Sequence, residues 1–332
     1  MSKPQGTILV TGANGGLGSA IVAHIGSTLP NYHTIYAVRD IAAPNPALRS
    51  ALPAQASFAP EIVSLDLTRL SNVRQVATAI NERVARKEIP PIRALVLNAG
   101  FQEFQEQTWT EKSEGGFDSS FAANYLGHWL LAVLLLRSLD PQNGRVVFLG
   151  SVAHDPHYPI IERHYPDEKW KTFIHENLDA IADGSWSTTA EDPTLNGGFR
   201  RSELQKRLRK DPAISKITVV GVDPGTMVTS LVRRNNWLVR NVFHKVILAN
   251  VARVMYYTTT NPPIRFTQTS ARDVMDAAMN SRWQNGGVYL NGSEPGSMSA
   301  EARDVEKSAI VWRDSVRYTK LKDGETVLVN WK

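Results

Sequence analysis

A glycine-rich run near the amino terminus is the first part of the chain whose residue types and spacing suggest chemistry. Thr11-Gly12-Ala13-Asn14-Gly15-Gly16-Leu17-Gly18 follows a strand-like run and opens a helix-like one. Glycines permit a tight turn and let the backbone approach a pyrophosphate, and the N–H groups of a helix N-terminus attract its negative charge. The run therefore predicts a dinucleotide site; the simpler alternative is a structural turn without a ligand.

The end of the second strand-like run carries the residues that would choose between NAD and NADP. Arg39 and Asp40 follow this run directly. An acidic side chain binds the ribose hydroxyls of NAD, whereas an arginine pairs with the 2′-phosphate of NADP. Arg39 comes first and Asp40, as the next residue, should point elsewhere, so the order favours NADP. If neither residue contacts ribose, both belong to a solvated strand end.

Short β-branched runs alternate with helix-length stretches as far as residue 150, and the alternation resumes after residue 216. This pattern predicts an α/β fold of the Rossmann type, a doubly wound parallel sheet in a three-layer α/β/α arrangement. Predicted strands are Thr7–Val10, Thr34–Val38, Glu61–Leu65, Ala94–Leu97, Arg145–Leu149, Ile217–Val222 and Gly287–Leu290; predicted helices are Gly16–Leu29, Leu70–Lys87, Phe117–Leu139, Asp167–Ala182 and Thr267–Met279. Without a linker or repeat, residues 1–332 are predicted to form one domain, with a coenzyme half (5–151) and a substrate half with a C-terminal lid (152–332).

Composition excludes several classes of site. The chain has no cysteine, which rules out disulfides, thiolate metal sites and a cysteine nucleophile. A net charge of +5 without a block of Lys or Arg argues against a nucleic-acid partner. No signal peptide is visible, so a soluble, cytoplasmic protein is expected. His154, His157, His164 and His175 lack metal spacing and are predicted to lie in a surface loop.

Further motifs follow the glycine run in a fixed order. They are Asp66-Leu67, Leu97-Asn98-Ala99-Gly100, Asn124-Tyr125-Leu126-Gly127-His128, Ser151, and Asp223-Pro224-Gly225-Thr226-Met227-Val228-Thr229. The ordered set resembles the short-chain dehydrogenase/reductase family over roughly residues 5–295, and is most similar to fungal secondary-metabolism members and the retinol-dehydrogenase-like branch.

The resemblance implies a role for each motif. Thr11, Gly12, Asn14, Gly16, Leu17 and Gly18 would cradle the pyrophosphate, Asp66 and Leu67 would bracket the adenine, Asn98, Ala99 and Gly100 would line the ribose, and Met227 and Thr229 would approach the nicotinamide amide. Asn124 would hold a proton-relay water, and Ser151 would polarise the substrate carbonyl. The simpler alternatives are a turn residue for Asp66, a satisfied buried amide for Asn124 and a strand-end cap for Ser151.

One part of the family pattern is missing. The resemblance implies that ketone reduction by this family requires a phenol as proton donor, whose pKa of ~10 is lowered by a nearby ammonium. The resemblance places this Tyr and Lys one turn apart on the crossover helix before the sixth strand. Here that stretch, residues 197–208, offers only Leu204 and Leu208 as an apolar stripe. In similar fungal sequences an Arg-Arg pair runs directly into Tyr-x-x-Ser-Lys, so we hypothesise that the motif has been deleted between Arg201 and Ser202 by a misassigned or alternative splice site.

Two substitutes for the missing pair can be weighed. Tyr165 and Lys169 have the right spacing, but Pro166 leaves Tyr165 outside the first helical turn, and the carboxylates of the next two residues oppose a tyrosinate. An ordinary helix start is the better interpretation. Ser202 and Lys206 share the spacing too, but an aliphatic hydroxyl is a far weaker acid than a phenol.

The stretch 237–248 follows the last motif and has an apolar face. In similar enzymes this region is a lid, which implies a hydrophobic carbonyl substrate such as a polyketide, terpenoid, steroid or retinoid. A core helix is the simpler interpretation, and Arg240, His244, Lys245 and Arg253 give some support to a helix on a membrane surface.

Together these features predict an NADP-dependent reductase of a hydrophobic ketone or alcohol, or else a non-catalytic coenzyme-binding homologue or an inactive shortened product. Family members commonly form a homodimer through the crossover helix, which its truncation here puts in doubt.

Overall fold

The computed structural model describes residues 3–42, 46–53, 57–100, 106–162, 167–186, 202–227 and 261–332, together with residues 253, 255, 258 and 259. Its strands are β1 (Thr7–Thr11), β2 (His33–Val38), β3 (Glu61–Ser64), β4 (Ile92–Leu97), β5 (Arg145–Leu149), β6 (Thr218–Asp223), β7 (Val288–Asn291) and β8 (Glu294–Pro295). They form one sheet in the order β3-β2-β1-β4-β5-β6-β7-β8. Neighbours from β3 to β7 are parallel, and β8 is antiparallel to β7. The predicted doubly wound parallel sheet is confirmed.

Helices cover both faces of the sheet. They are α1 (Gly16–Thr28), α2 (Pro46–Ala51), α3 (Leu70–Ala85), α4 (Ser119–Phe121), α5 (Gly127–Leu135), α6 (Pro159–Glu162), α7 (Asp179–Ala182), α8 (Ser202–Arg209), α9 (Thr267–Met279), α10 (Ala300–Arg303) and α11 (Val305–Thr319). α1 and α9 bury their apolar residues on one face, while α3, α5, α8 and α11 bury theirs on the other. Because both faces are covered, β1, β2 and β6 are buried along their whole length.

The helix predicted over Phe117–Leu139 is present but not uniform. Between α4 and α5 lies a π-helical turn, Ala122–Leu126. Among the described residues, the stretch Ser119–Ser138 is the one long and apolar enough to cross a membrane by length and composition, yet 89% of its most apolar window is buried inside the protein. A helix buried on all sides by its own fold carries the same apolar pattern as a membrane span.

The helix predicted over Asp167–Ala182 is wrong. The structure has a 3₁₀ turn, Glu168–Lys171, then irregular chain, then the short α7. Carboxylates from the C-terminal helices accept main-chain N–H groups here: Glu301 accepts those of Phe173 and Ile174, and Asp314 accepts that of Leu178 at 2.9 Å. These contacts replace helical hydrogen bonds, so the apolar spacing reflects burial without a helix.

The C-terminal helix α11 was not predicted, and it covers the outer face of α5. The ring centroids of Trp129 and Trp312 lie 5.0 Å apart, and Tyr125 Oη lies 2.6 Å from Ser315 Oγ. The chain then continues past α11, where Thr326 Oγ1 donates to the carbonyl of Val133 at 2.9 Å. An Asp at 304 before an apolar i, i+3, i+7 pattern was the available signal.

Helix α8 leads into β6, where the crossover helix was predicted. Leu204 and Leu208 are buried as the two-residue stripe predicted. Gln205 adds a polar attachment, because its Oε1 accepts the N–H of Val219 on β6 at 2.6 Å. Residues 187–201, which would precede this helix in a longer crossover, lie outside the described residues.

Candidate functional site

The glycine run forms a turn that excludes side chains at two positions. Gly12 has φ +66°, a conformation that favours glycine, and a Cβ there would be 2.5 Å from the Cα of Ala99. A Cβ on Gly18 would overlap the carbonyl oxygen of Gly12. The turn can therefore pack this closely against Ala99 and against the start of α1 only because these residues lack side chains, as the family's pyrophosphate turn requires.

The rest of the run lies at the start of α1. Asn14 is half-buried in the turn, and α1 begins at Gly16. Leu17 is buried in the core on the α1 face of the sheet, so its side chain anchors the helix and only its backbone can serve a ligand. No acidic residue lies in the first turn of α1, which leaves the positive end of its dipole uncompensated.

Asn98, after β4, fastens the glycine turn to the sheet. Its Nδ2 donates to the carbonyls of Thr11 at 2.9 Å and Gly12 at 3.2 Å. In return, the main-chain N–H groups of Asn98 and Ala99 both donate to Thr11 Oγ1 at 3.0 Å. Two motifs that are more than 80 residues apart in sequence thus meet in one network.

Asn124 and Gly100 are part of the same cluster. Asn124 lies half-buried in the π-helical turn, and a Cβ on Gly100 would be 3.4 Å from Asn124 Oδ1. Gly127, one turn later, lies so close to the carbonyl of Leu67 that a side chain would overlap it. Leu67 is itself buried, so the loop after β3 packs directly against the start of α5.

Asp66 makes local contacts within that loop. Its Oδ1 accepts the N–H of Thr68 at 3.0 Å and the hydroxyl of Thr68 at 2.7 Å, and its own N–H donates to Asn72. These are the contacts of a turn residue, the simpler of the two interpretations of Asp66. They also fix the loop that the adenine role requires.

Arg39 and Asp40 differ in what they contact. Asp40 Oδ1 accepts the N–H of Ala42 at 2.8 Å, so its carboxylate closes a local turn. Arg39 is exposed, and within the described part of the chain its guanidinium has no carboxylate partner. The arginine is therefore the group of the two that is available to an anion.

Ser151 lies directly after β5 in extended conformation. Its Oγ accepts the N–H of Ala153 at 3.2 Å, as a strand-end cap does, and within the described chain its hydroxyl hydrogen has no acceptor. That hydrogen can donate to a substrate oxygen.

The prediction that His154 lies in a surface loop is wrong: it is only 9% exposed. The N–H of Ser299 donates to His154 Nε2 at 3.3 Å, so Nδ1 carries the proton and donates to the carbonyl of Ser151 at 2.6 Å. A residue near the C-terminal helices thus holds the serine loop in place. His157 and His175 are exposed, and His164 lies outside the described residues.

The segment after β6 is held by hydrogen bonds to Asp223 at the end of the strand and to Pro263 later in the chain. Asp223 accepts the N–H of Gly225 at 2.8 Å, and its burial raises the pKa of the carboxyl group. Thr226 donates its N–H to the carbonyl of Pro263 at 2.8 Å. Met227 is half-buried against the core on the α1 face, while Thr229 and the lid stretch 237–248 lie outside the described residues.

No described residue completes the missing Tyr–Lys pair on the crossover. Tyr165 lies outside the described residues, and Lys169 belongs to the 3₁₀ turn. On α8, Lys206 Nζ lies 3.8 Å from a carboxylate oxygen of Glu203.

One phenol that the sequence analysis did not consider, Tyr289 on β7, lies beside the serine strand. A Cβ on Gly150 would be 3.0 Å from its Oη, and its ring is 4.7 Å from that of His154. The available signal was the glycine opposite it, since Gly221 of β6 pairs with Tyr289 in the sheet register.

Known proteins are similar to this chain. The family model described as short chain dehydrogenase matches residues 6–165. The short-chain dehydrogenase iccH of Talaromyces variabilis is 40% identical over an alignment of 366 positions, gaps included, which covers 99% of each chain. The chain belongs to the short-chain dehydrogenase family.

Two more distant proteins are also similar to this chain. Retinol dehydrogenase 13 of Homo sapiens is 26% identical over 96% of this short-chain dehydrogenase and 86% of the human protein. The crystal structure of NADPH-bound carbonyl reductase from chicken fatty liver superposes with a TM-score of 0.54 at 16% identity, covering 89% of this chain and all of that one. The latter likeness shows the shared fold. The family resemblance predicted from the ordered motifs is confirmed.

Proposed function

We propose that the chain is an NADP-dependent oxidoreductase that reduces a ketone, or oxidises the corresponding alcohol, of a hydrophobic small molecule in secondary metabolism. Membership in the short-chain dehydrogenase family supports the reaction class. The observation that carries the proposal is the glycine turn at β1, whose close packing depends on Gly12 and Gly18 and which is fastened by Asn98.

The residues at this turn fit a nicotinamide dinucleotide. The N-terminus of α1 offers N–H donors and the positive end of the helix dipole to phosphate oxygens. When bound, the coenzyme supplies the hydride chemistry of the reaction. The protein's part is to hold the coenzyme there, with Asp66 and Leu67 at its adenine and Asn98, Ala99 and Gly100 along its ribose.

Arg39 supports NADP as the coenzyme. Its exposed guanidinium can form a bidentate pair with a 2′-phosphate, whereas the carboxylate of Asp40 is already engaged by Ala42. NADPH is also the coenzyme bound in the carbonyl reductase of the same fold.

Ser151 and Asn124 would act on the substrate and its proton. The Ser151 hydroxyl hydrogen would donate to the carbonyl oxygen and so stabilise the negative charge that develops on it. Asn124, in the widened π-helical turn beside Gly100, would hold the relay water. Met227 and Thr229 would lie at the nicotinamide amide.

The substrate class rests on the apolar stretch 237–248 and on relatives. One relative is named a retinol dehydrogenase, after an apolar alcohol. A solved structure of the same fold is named an angucycline C-6 ketoreductase with bound NADP. These names support a hydrophobic substrate for this chain.

A second candidate is a coenzyme-binding protein that does not turn over. The alignment with the Talaromyces dehydrogenase is 366 residues long, whereas this chain has 332, so that relative carries residues without a counterpart here. Helix α8 holds no tyrosine. Both observations agree with the hypothesis that the Tyr-Lys segment has been lost before Ser202.

Calorimetry with NADPH and NADH on the folded chain tests the proposal. NADPH should bind more tightly than NADH, and Arg39→Gln should remove about tenfold to a hundredfold of that preference, as expected for a charge-assisted bond. Arg49→Gln, at another exposed arginine, is the matched control. A folded chain that binds neither coenzyme contradicts the proposal.

Turnover separates the two candidates. NADPH oxidation with a panel of apolar ketones should proceed if the chain is an enzyme, whereas binding without oxidation favours the non-catalytic candidate. Sequencing the transcript and the genomic DNA around the codons for Arg201 and Ser202 tests the deletion. A transcript with no alternative exon at this junction would establish the short form as real.

A further inference from the structure

We infer that His128 is a positioning residue that couples the glycine turn to Asn124. The inference rests on the proposed function, because it concerns how the coenzyme turn and the relay residue are held relative to each other. His128 lies in the first turn of α5 and is 2% exposed.

The contact with Thr11 fixes which ring nitrogen carries the proton. Thr11 Oγ1 lies 2.9 Å from His128 Nε2. The same oxygen already accepts two N–H groups, from Asn98 and Ala99. A hydroxyl has two acceptor lone pairs and one hydrogen, so Thr11 donates that hydrogen to His128. Nε2 is therefore an acceptor, and the ring is neutral with its proton on Nδ1.

The second ring nitrogen reaches the relay residue. His128 Nδ1 donates to the carbonyl of Asn124 at 3.4 Å. Asn124 lies in the π-helical turn, where the helix is widened and its backbone hydrogen bonds are shifted by one residue. One imidazole therefore connects the side chain that receives the Asn98 and Ala99 amides to the backbone of the turn that orients Asn124.

The packing around α5 keeps the ring at this place. The neighbouring Gly127 lies against the carbonyl of Leu67 with no room for a side chain, which holds the start of α5 close to the sheet. With both nitrogens engaged and the ring buried, the positions of Thr11 and Asn124 depend on each other.

Substituting His128 with glutamine or with asparagine removes one of the two ring contacts at a time. Glutamine places its Oε1 near the position of Nε2, so His128→Gln keeps an acceptor for Thr11 but loses the donor to Asn124. Asparagine places its Nδ2 near Nδ1, so His128→Asn keeps the donor to Asn124 but loses the acceptor for Thr11. His157→Asn, at a histidine whose side chain is 54% exposed, is the matched control.

The expected result is an unequal effect on the dissociation constant for NADPH. His128→Asn should weaken binding by about fivefold to tenfold, the effect of one net hydrogen bond, and His128→Gln should weaken it less. Because His128 acts through Thr11, the double variant Thr11→Val/His128→Asn should bind no more weakly than Thr11→Val alone. Equal losses from the two amides, or additive losses in the double variant, would overturn the inference as evidence of general damage.

The coupling to Asn124 has a separate measurement. NADPH should shift the backbone amide resonance of Asn124 in the wild type, and both His128 variants should reduce that shift. If NADPH shifts this resonance in both variants as far as it does in the wild type, the inference is overturned.

The tautomer can be read without coenzyme, which distinguishes this inference from the proposed function. ¹⁵N NMR of histidine-labelled wild type should show His128 protonated on Nδ1, with an Nε2 resonance that changes in Thr11→Val. A chain that binds no NADPH but shows this tautomer loses the proposed function, while the link from Thr11 through His128 to Asn124 stands. A proton on Nε2 overturns the inference in either case.

Discussion

The two functional edges of the sheet each contain a buried, neutral histidine, but the partners of the two histidines differ in how far away they lie in the sequence. At the glycine-loop edge, where β1 and β4 end, His128 joins Thr11 to Asn124. At the serine edge, where β5 and β6 end, His154 joins Ser151 to Ser299. The first network is formed by residues within the first 128 of the chain. The second network includes Ser299, which lies 145 residues after His154.

This difference makes the serine edge depend on the C-terminal helices. Besides Ser299, the carboxylates of Glu301 and Asp314 accept main-chain N–H groups further along the same connection, at Phe173, Ile174 and Leu178. The glycine-loop edge is held by side chains of its own motifs. Loss of the C-terminal residues would therefore remove hydrogen bonds of the serine edge directly, whereas it would reach the glycine-loop edge through the packing of α9 against α1.

The largest expected effect would break the glycine-loop edge alone. In Gly12→Ala the new Cβ meets the backbone of Ala99, so the turn must shift. We expect the affinity for NADPH to fall by about a hundredfold, or about 3 kcal/mol. Gly116→Ala is a close control, because Gly116 has φ +67° but no atom within 4 Å of a Cβ. The Gly116→Ala variant has the same backbone strain but no steric collision. If calorimetry shows that it loses as much affinity for NADPH as Gly12→Ala does, strain alone is responsible.

Ser151→Ala should break the serine edge alone. If the chain turns over, loss of the donor to the carbonyl should lower kcat for the best ketone by about a hundredfold. The dissociation constant for NADPH should stay unchanged, because Ser151 has no contact with the glycine turn in the described structure. Ser113→Ala, at an exposed loop residue, is the control. Weaker NADPH binding in Ser151→Ala would contradict the independence of the two edges.

Asp314→Ala tests how much α11 contributes to holding the chain between β5 and β6. Its side chain is 1% exposed and accepts the N–H of Leu178. We expect the free energy of unfolding to fall by about 1.5–3 kcal/mol in urea titrations, the usual effect of losing a hydrogen bond to a charged group. Asp323→Ala removes an exposed pair with Lys332 and should cost less than about 1 kcal/mol. If the two variants lose similar amounts of free energy of unfolding, the buried contact of Asp314 contributes no more to stability than the exposed pair.

The smallest effect concerns Glu61, at the opposite end of the sheet from both edges. Its hydrogen bond with Arg83 holds the pKa of the carboxyl group below its ordinary value of 4.5. This contribution to stability is present above pH 4.5 and is lost as the pH falls through the lowered pKa. Glu61→Gln should flatten the acid limb of the stability curve while leaving NADPH binding at neutral pH unchanged. An identical acid limb in the variant would exclude the contribution.

The sequence predicted best where local chemistry and tertiary structure agree. Buried parallel strands are apolar throughout, and glycine positions such as Gly12 have a steric cause that is readable from the motif. The helix predicted at Asp167–Ala182 failed because Asp314 and Glu301, distant in sequence, take the N–H groups that a helix would use. His154 was misplaced for the same reason, since its burial depends on Ser299.

The order in which the residues are synthesised gives these distances a further consequence. Ribosomes release the amino end first, and N-terminal regions can begin to fold before the rest of the chain is made. The hydrogen-bond partners of Thr11 at Asn98, Ala99 and His128 are all present once residue 128 has emerged, whereas Ser299, the partner of His154, emerges far later. A message that ends before codon 299 would therefore yield a polypeptide that holds the partners of Thr11 but lacks the residue that anchors His154 beside Ser151.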